Sequence, residues 1–107
     1  MEVRQYEIML VNLDPTIGSE IKKTRPCVVI SPNEMNKYLQ TIVIAPLTSS
    51  LKPYPTRVEI EQAIIKGWIA LDQIRTIDRT RIIKKLSKLT TTEIESVKSV
   101  IMETYVE

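Results

Sequence analysis

Arg25 closes the stretch NLDPTIGSEIKKTR (Asn12 to Arg25) and stands directly before Pro26 and the β-branched run CVVIS. The proline biases its predecessor toward extended geometry, so the direction in which the Arg25 side chain leaves the backbone is set locally. With Ser19, Glu20, Lys22, Lys23 and Thr24 beside it, this loop offers three cations, two hydroxyls and one carboxylate at the entrance to a strand. A guanidinium fork in that position suits phosphate oxygens; an exposed arginine paired with Glu20 is the plainer alternative. A second group lies at Ala45-Pro46-Leu47-Thr48-Ser49-Ser50, where an apolar run ends in three hydroxyls. They can cap a turn or donate to phosphoryl oxygens. A third, Asp72 to Arg81 (DQIRTIDRTR), carries charges or amides in nearly every polar slot, as a solvated strand face with cross-strand ion pairs would.

Much other chemistry is excluded by composition. The chain has no histidine and one cysteine, Cys27, which removes the commonest general base, every Ser-His or Cys-His nucleophile, and a conventional zinc site. No internal disulfide can form, and no dense carboxylate cluster suggests a bound hard cation. No metal and no cofactor is expected. The glycine loop PTIGSEIKK matches neither G-x-x-x-x-G-K-[ST] nor G-x-G-x-x-G and leads into a strand, so a nucleotide cradle is not expected either. The net charge of +2 is unevenly placed. Residues 90–107 hold Glu93, Glu95, Glu103 and Glu107 against Lys98, which is −3 and leaves 14 cations and 9 anions, +5, on residues 1–89. A basic body is compatible with a polyanionic partner and equally with a solvated face.

The elements that must position these groups are short. At 107 residues the chain suits one domain, 1–107. No apolar run approaches the roughly 18 residues of a membrane span, the first apolar segment is interrupted by charges, and a cytoplasmic address is expected. Tyr6 to Leu13 reads as a strand stopped by Asp14-Pro15, CVVIS as a central strand, Asn33 to Leu39 as one or two helical turns, and TIVIAPL (Thr41 to Leu47) as a third strand. Arg57-Val58-Glu59-Ile60 alternates, so one of its faces is wet and the other buried. GWIALDQI reads as another strand from Gly67, and RTIDRTRIIKKLSKL as further short strands or a hairpin. Thr90-Thr91-Thr92-Glu93 has the form of a capping box, and Ile94, Val97, Ile101 and Tyr105 then recur at helical spacing. Six or seven strands and one terminal helix predict a mainly β fold, a small antiparallel barrel with a C-terminal helix. Trp68 is expected in the core or in a contact between copies rather than as a platform for a base. The stripe Ile94, Val97, Ile101 fits either role equally.

Taken together, VNLDPTIGSEIKKTRPCVVIS, IVIAPLTSS and LDQIRTID, in this order and spacing, resemble the MazF/PemK family of bacterial toxins. The resemblance covers almost the whole chain. P-x-x-G-S-E, then R-P, then a hydrophobic strand ending in T-S are all present. It implies an SH3-like barrel of the CcdB/MazF type working as a homodimer. It further implies a toxin of a type II toxin–antitoxin module, a sequence-specific endoribonuclease cutting single-stranded RNA (mRNA) without metal or ribosome, and an acidic MazE-like antitoxin as partner. On this resemblance the catalytic residues are Arg25, Thr48 and Glu20. The RNA-binding residues are Ser19, Lys22, Lys23, Ser49, Lys52, Gln73 and Arg75, with Gln73 the base reader.

The chain departs from some PemK-type relatives, which carry a histidine in the first loop and an arginine two residues before the D-Q aspartate. Here there is no histidine and Ala70 holds the arginine position, which weakens any catalytic role for Asp72. Family accounts assign proton transfer to the arginine; its high pKa makes it a poor acceptor, and Glu20 is the carboxylate nearest in sequence that can take the 2′ proton. With five aromatics, base reading has to rest more on hydrogen bonds than on a stacking platform. Two other classes share the barrel: a gyrase poison of the CcdB kind, whose C-terminal Trp, Gly and Ile pattern is lacking in VIMETYVE, and a non-catalytic RNA-binding barrel.

Overall fold

A computed structural model describes residues 1–13, 24–49 and 54–106 of the chain. Its strands are β1 (Glu7–Asn12), β2 (Thr24–Val29), β3 (Thr41–Thr48), β4 (Arg57–Glu61), β5 (Lys66–Ala70), β6 (Arg75–Asp78) and β7 (Ile82–Lys88). A short helix α1 (Asn33–Tyr38) joins β2 to β3, and α2 (Thr91–Ile101) continues into a π-helical turn, Met102–Val106. All pairings are antiparallel, in the order β4-β5-β3-β2-β1-β7 with β6 also on β3. The expected mainly β fold with a C-terminal helix is therefore present, but the sheet does not close into a barrel. Among the described residues β4 and β7 share no ladder. A side chain spans that seam instead: Gln62, just past β4, donates to the Lys88 carbonyl at 3.0 Å and accepts from Ser87 Oγ at 2.7 Å.

β2 and β3 lie in the middle of the order, and both of their faces are buried, which is why CVV and IVIAPL read as continuous apolar runs rather than alternating ones. Alternate residues serve two clusters. Ile8, Val28, Ala45, Leu47, Val58, Ile60 and Ile69 pack on one face with Val97 of α2. Met9, Val11, Cys27, Val29, Ile42, Ile44 and Ile77 pack on the other. Val97 is fully buried and Ile94 and Ile101 pack against the first cluster, so the helix stripe belongs to the core. The capping box forms as expected: the Thr90 side chain accepts from the Glu93 amide at 3.2 Å, and Glu93 accepts from the Thr90 amide at 2.8 Å.

The strand expected as GWIALDQI is cut short, and the RTID that follows it forms one of the expected short strands. β5 ends at Ala70, a 3-10 turn covers Leu71–Gln73, and β6 begins at Arg75. The break lets one sequence run pair with two parts of β3. β5 lies on Leu47 and Thr48, while β6 lies on Thr41 to Ile44. Tyr105 at the chain end donates to the Leu71 carbonyl at 2.5 Å and so ties the terminal turn to this break.

Candidate active site

Arg25 and Thr48 are 23 positions apart in sequence and neighbours in the sheet. The β2–β3 ladder pairs Val29 with Ile44, Val28 with Ala45 and Cys27 with Pro46. Carried two residues further, that register sets Arg25 opposite Thr48, and partners across an antiparallel ladder point to the same face. Pro26 and Pro46 each lack an amide donor, and the β2–β3 ladder ends beside them. The two candidate side chains thus stand where the strands part, on backbone anchored by the fully buried Cys27 and Ala45. Both are half-buried. Together with Pro26, Leu47, Ser49 and Lys66 they line a depression of about 310 Å³.

Thr48 is held from its other side by β5, where it pairs with Trp68. That approach requires Gly67. Its φ is +154°, and a Cβ added there would lie 2.9 Å from the Thr48 carbonyl oxygen, a contact with backbone that cannot swing away. The glycine is therefore part of the support under the threonine.

Cys27 sits next to this depression and takes no part in it. Burial pushes its thiol up to about 12, against the pull of the Arg25 and Arg75 charges, and its Sγ lies 3.6 Å from the Arg25 carbonyl. A thiol so held is no nucleophile at neutral pH. Arg75 of β6 pairs with Ile44 of β3, whose partner in β2 is Val29, so the register sets Arg75 on the same side of the sheet as Cys27 and Arg25.

The remaining expected residues divide cleanly. Ser49 lines the depression and is exposed. Gln73, exposed at the end of the 3-10 turn, and Arg75 do not line it. Glu20, Ser19, Lys22, Lys23 and Lys52 lie outside the described residues. Asp72 is engaged structurally. It accepts from Arg57 Nε at 3.0 Å and from Thr56 Oγ1 at 3.0 Å, and the hydrogen bond from Arg57 is the main reason its carboxyl is held below the usual range. Such a carboxylate is a weak proton acceptor, in keeping with the doubt its Ala70 neighbour already raised. Among the described residues no group of three or more His, Cys, Asp or Glu is placed to hold a metal ion, and no helix is long and apolar enough to cross a membrane.

Lys66 escaped the sequence reading, and one of the places expected for Trp68 is corrected. Lys66 lines the depression with Arg25 and Thr48; its only signal was a cation directly before the glycine that opens β5. Trp68 belongs to neither hydrophobic cluster, so the core position expected for it is corrected. It is half-buried, and its partner in β3 is Thr48, which puts its ring on the Arg25 side of the sheet.

Comparison with known proteins bears on what this arrangement does. Residues 4–105 match the family model described as PemK-like, MazF-like toxin of type II toxin–antitoxin system. The chain is 35% identical to the endoribonuclease MazF of Staphylococcus saprophyticus subsp. saprophyticus, over 92% of this chain and 88% of that one. It is 38% identical to the endoribonuclease MazF of Staphylococcus epidermidis, over 81% and 78%. Among solved structures it superposes on MazF in a MazE–MazF crystal structure from Deinococcus radiodurans with a TM-score of 0.86 at 24% identity, covering 96% and 95% of the two chains.

Proposed function

The chain belongs to the PemK-like, MazF-like toxins of type II toxin–antitoxin systems, and we propose that Arg25 and Thr48 are the core of its ribonuclease site. It is a toxin endoribonuclease; its relatives at 35% and 38% identity bear that name, and the CcdB-like alternative has no comparable support. The observation that carries the site is the juxtaposition of Arg25 and Thr48 across the parted ends of β2 and β3, in one depression with Ser49 and Lys66.

The reaction that such a site can run is an internal transesterification. The 2′-hydroxyl oxygen of the substrate attacks the adjacent phosphorus, the bond from phosphorus to the 5′-oxygen breaks, and a 2′,3′-cyclic phosphate and a 5′-hydroxyl result. The 2′ proton must leave and the 5′-oxygen must gain one. Arg25 offers paired N–H donors to the phosphorane oxygens and can pass a proton to the leaving 5′-oxygen; Thr48 adds a hydroxyl donor on a rigid strand end. Glu20 takes the 2′ proton in this scheme. Retention of full activity by Glu20→Gln would remove that assignment. Ser19, Lys22, Lys23, Ser49, Lys52, Gln73 and Arg75 extend the contact to flanking phosphates and bases.

The partner complexes follow from the family. A MazE–MazF structure from Deinococcus radiodurans and an endoribonuclease bound to its cognate antitoxin from a mycobacterial species are similar in fold. An acidic antitoxin segment over the basic body, a homodimer as the working unit, and action in the cytoplasm complete the reading. The test is incubation with a long single-stranded RNA in excess EDTA, the ends mapped by primer extension. Discrete cuts by the wild type that vanish with Arg25→Ala are expected; intact RNA from folded wild type would overturn the nuclease reading.

A further inference from the structure

The register of four strands lays out a row of side chains that the ribonuclease reading does not yet use. Thr48 of β3 pairs with Trp68 of β5, and Trp68 pairs with Glu59 of β4. With Arg25 opposite Thr48, the order across the sheet is Arg25, Thr48, Trp68, Glu59, all directed to one face. Neighbouring strands lie about 4.8 Å apart, so the row spans roughly 14 Å. That is the reach of about two extended nucleotides. Two residues along the same β4–β5 ladder, Lys66 stands opposite Glu61.

A second depression adjoins the first. It is lined by Glu59, Glu61, Gly67 and Trp68, and it shares Ser49 and Lys66 with the depression that holds Arg25 and Thr48. The charge changes sign along the way. Cations Arg25 and Lys66 flank the phosphate end, and two exposed carboxylates stand beyond the indole. A phosphate is repelled there, and so is an acidic peptide. A neutral base with donor groups is not.

We propose that Trp68 and Glu59 form a base subsite beside the scissile phosphate, with Lys66 holding the phosphate between the two depressions; this rests on the ribonuclease reading. The indole supplies a stacking face for an unstacked base, the commonest device by which proteins hold single-stranded RNA. The carboxylate of Glu59 is acceptor-only and pairs with amino donors. Adenine, cytosine and guanine present such donors on their Watson–Crick edges. Uracil presents two carbonyl oxygens and a single N–H, so it is the base this subsite disfavours. Trp68 thereby acquires a role in sequence selection.

The chain's single tryptophan makes the first readout direct. The wild type is mapped on a long single-stranded RNA, and a 2′-O-methyl oligonucleotide of the mapped sequence, which cannot cyclise, is titrated against tryptophan emission. Saturable quenching is expected. Trp68→Ala is expected to lower kcat/KM by roughly tenfold to a hundredfold, mainly through KM, with Trp68→Phe keeping most of the activity. Glu59→Gln, whose amide both donates and accepts, is expected to admit uracil at one fixed offset from the cut. Cleavage by the wild type, with emission unmoved and with the Trp68→Ala and Glu59→Gln variants, folded by circular dichroism, unchanged in rate and sites, overturns the subsite and leaves the nuclease standing. Quenching by an acidic peptide but not by the oligonucleotide assigns the face to a protein partner and overturns it too, as does a Trp68→Phe variant whose only defect is altered association in sedimentation. Wild type that leaves the long RNA intact brings down both readings.

Discussion

At the scale of single residues, Arg25 and Thr48 each offer hydrogen-bond donors that a close substitute does not reproduce. A guanidinium presents two parallel donors in a plane, and lysine a compact point charge, so Arg25→Lys keeps the charge and loses the fork. We expect Arg25→Lys and Thr48→Val each to lower kcat by about a hundredfold to a thousandfold in a cleavage assay, with circular dichroism unchanged. Asp72 makes a different kind of prediction. Its carboxyl is held below the ordinary range, chiefly by Arg57, whose side chain is 8% exposed. A carboxyl whose folded pKa is lowered stabilises the fold above its ordinary pKa, and that contribution is lost as pH falls through the lowered value. The melting temperature of the wild type should therefore exceed that of Asp72→Asn at pH 7, and the gap should close only as pH drops below about 4. A gap that closes near neutrality would show another group to be responsible.

At the scale of elements, the site depends on where strands end and how closely they approach. β5 reaches Thr48 only because Gly67 has no Cβ. Gly67→Ala is expected to cost about 1–3 kcal/mol in denaturant unfolding and to depress kcat as well, since the displaced backbone is that of Thr48. The capping box is a control of the opposite kind. Thr90→Ala removes the cap on α2 at about 1 kcal/mol, or about 4–8 °C in thermal unfolding, and should leave the cleavage rate at saturating RNA unchanged. α2 touches the site only indirectly, through Val97 in the first cluster and the Tyr105 hydrogen bond to Leu71. The seam between β4 and β7 has the same indirect character, bridged by Gln62.

At the scale of the whole molecule, the bent sheet buries both its faces along β2 and β3 and leaves one end of that double core open, where Arg25 and Thr48 stand. The basic body and acidic tail then matter through long-range charge. Binding of a non-cleavable oligonucleotide should weaken as salt rises, with a log–log slope of about −0.7 for each phosphate neutralised. Lys66→Ala should flatten that slope by about 0.7, measured by fluorescence anisotropy between low and moderate salt. An unchanged slope would mean that Lys66 meets no phosphate.

The amino-acid sequence by itself determined the local devices, because each depends on residues a few positions apart: the cap Thr90-x-x-Glu93, the alternation of Arg57 to Ile60, and the extended residue before Pro26. It also carried Arg25, Thr48 and Ser49 as candidates, because their motifs are contiguous. The end of β5 at Ala70, with a turn in place of the rest of GWIALDQI, was not legible, since two different stretches of β3 claim the residues on either side of that turn. Nor was the open seam, since whether β4 meets β7 depends on the curvature of the intervening strands. Only the tertiary structure brought Arg25 against Thr48, gave them Lys66, and turned Trp68 to their side. Those relations are fixed by register across strands distant in the chain, where a slip of one residue sends a side chain to the opposite face.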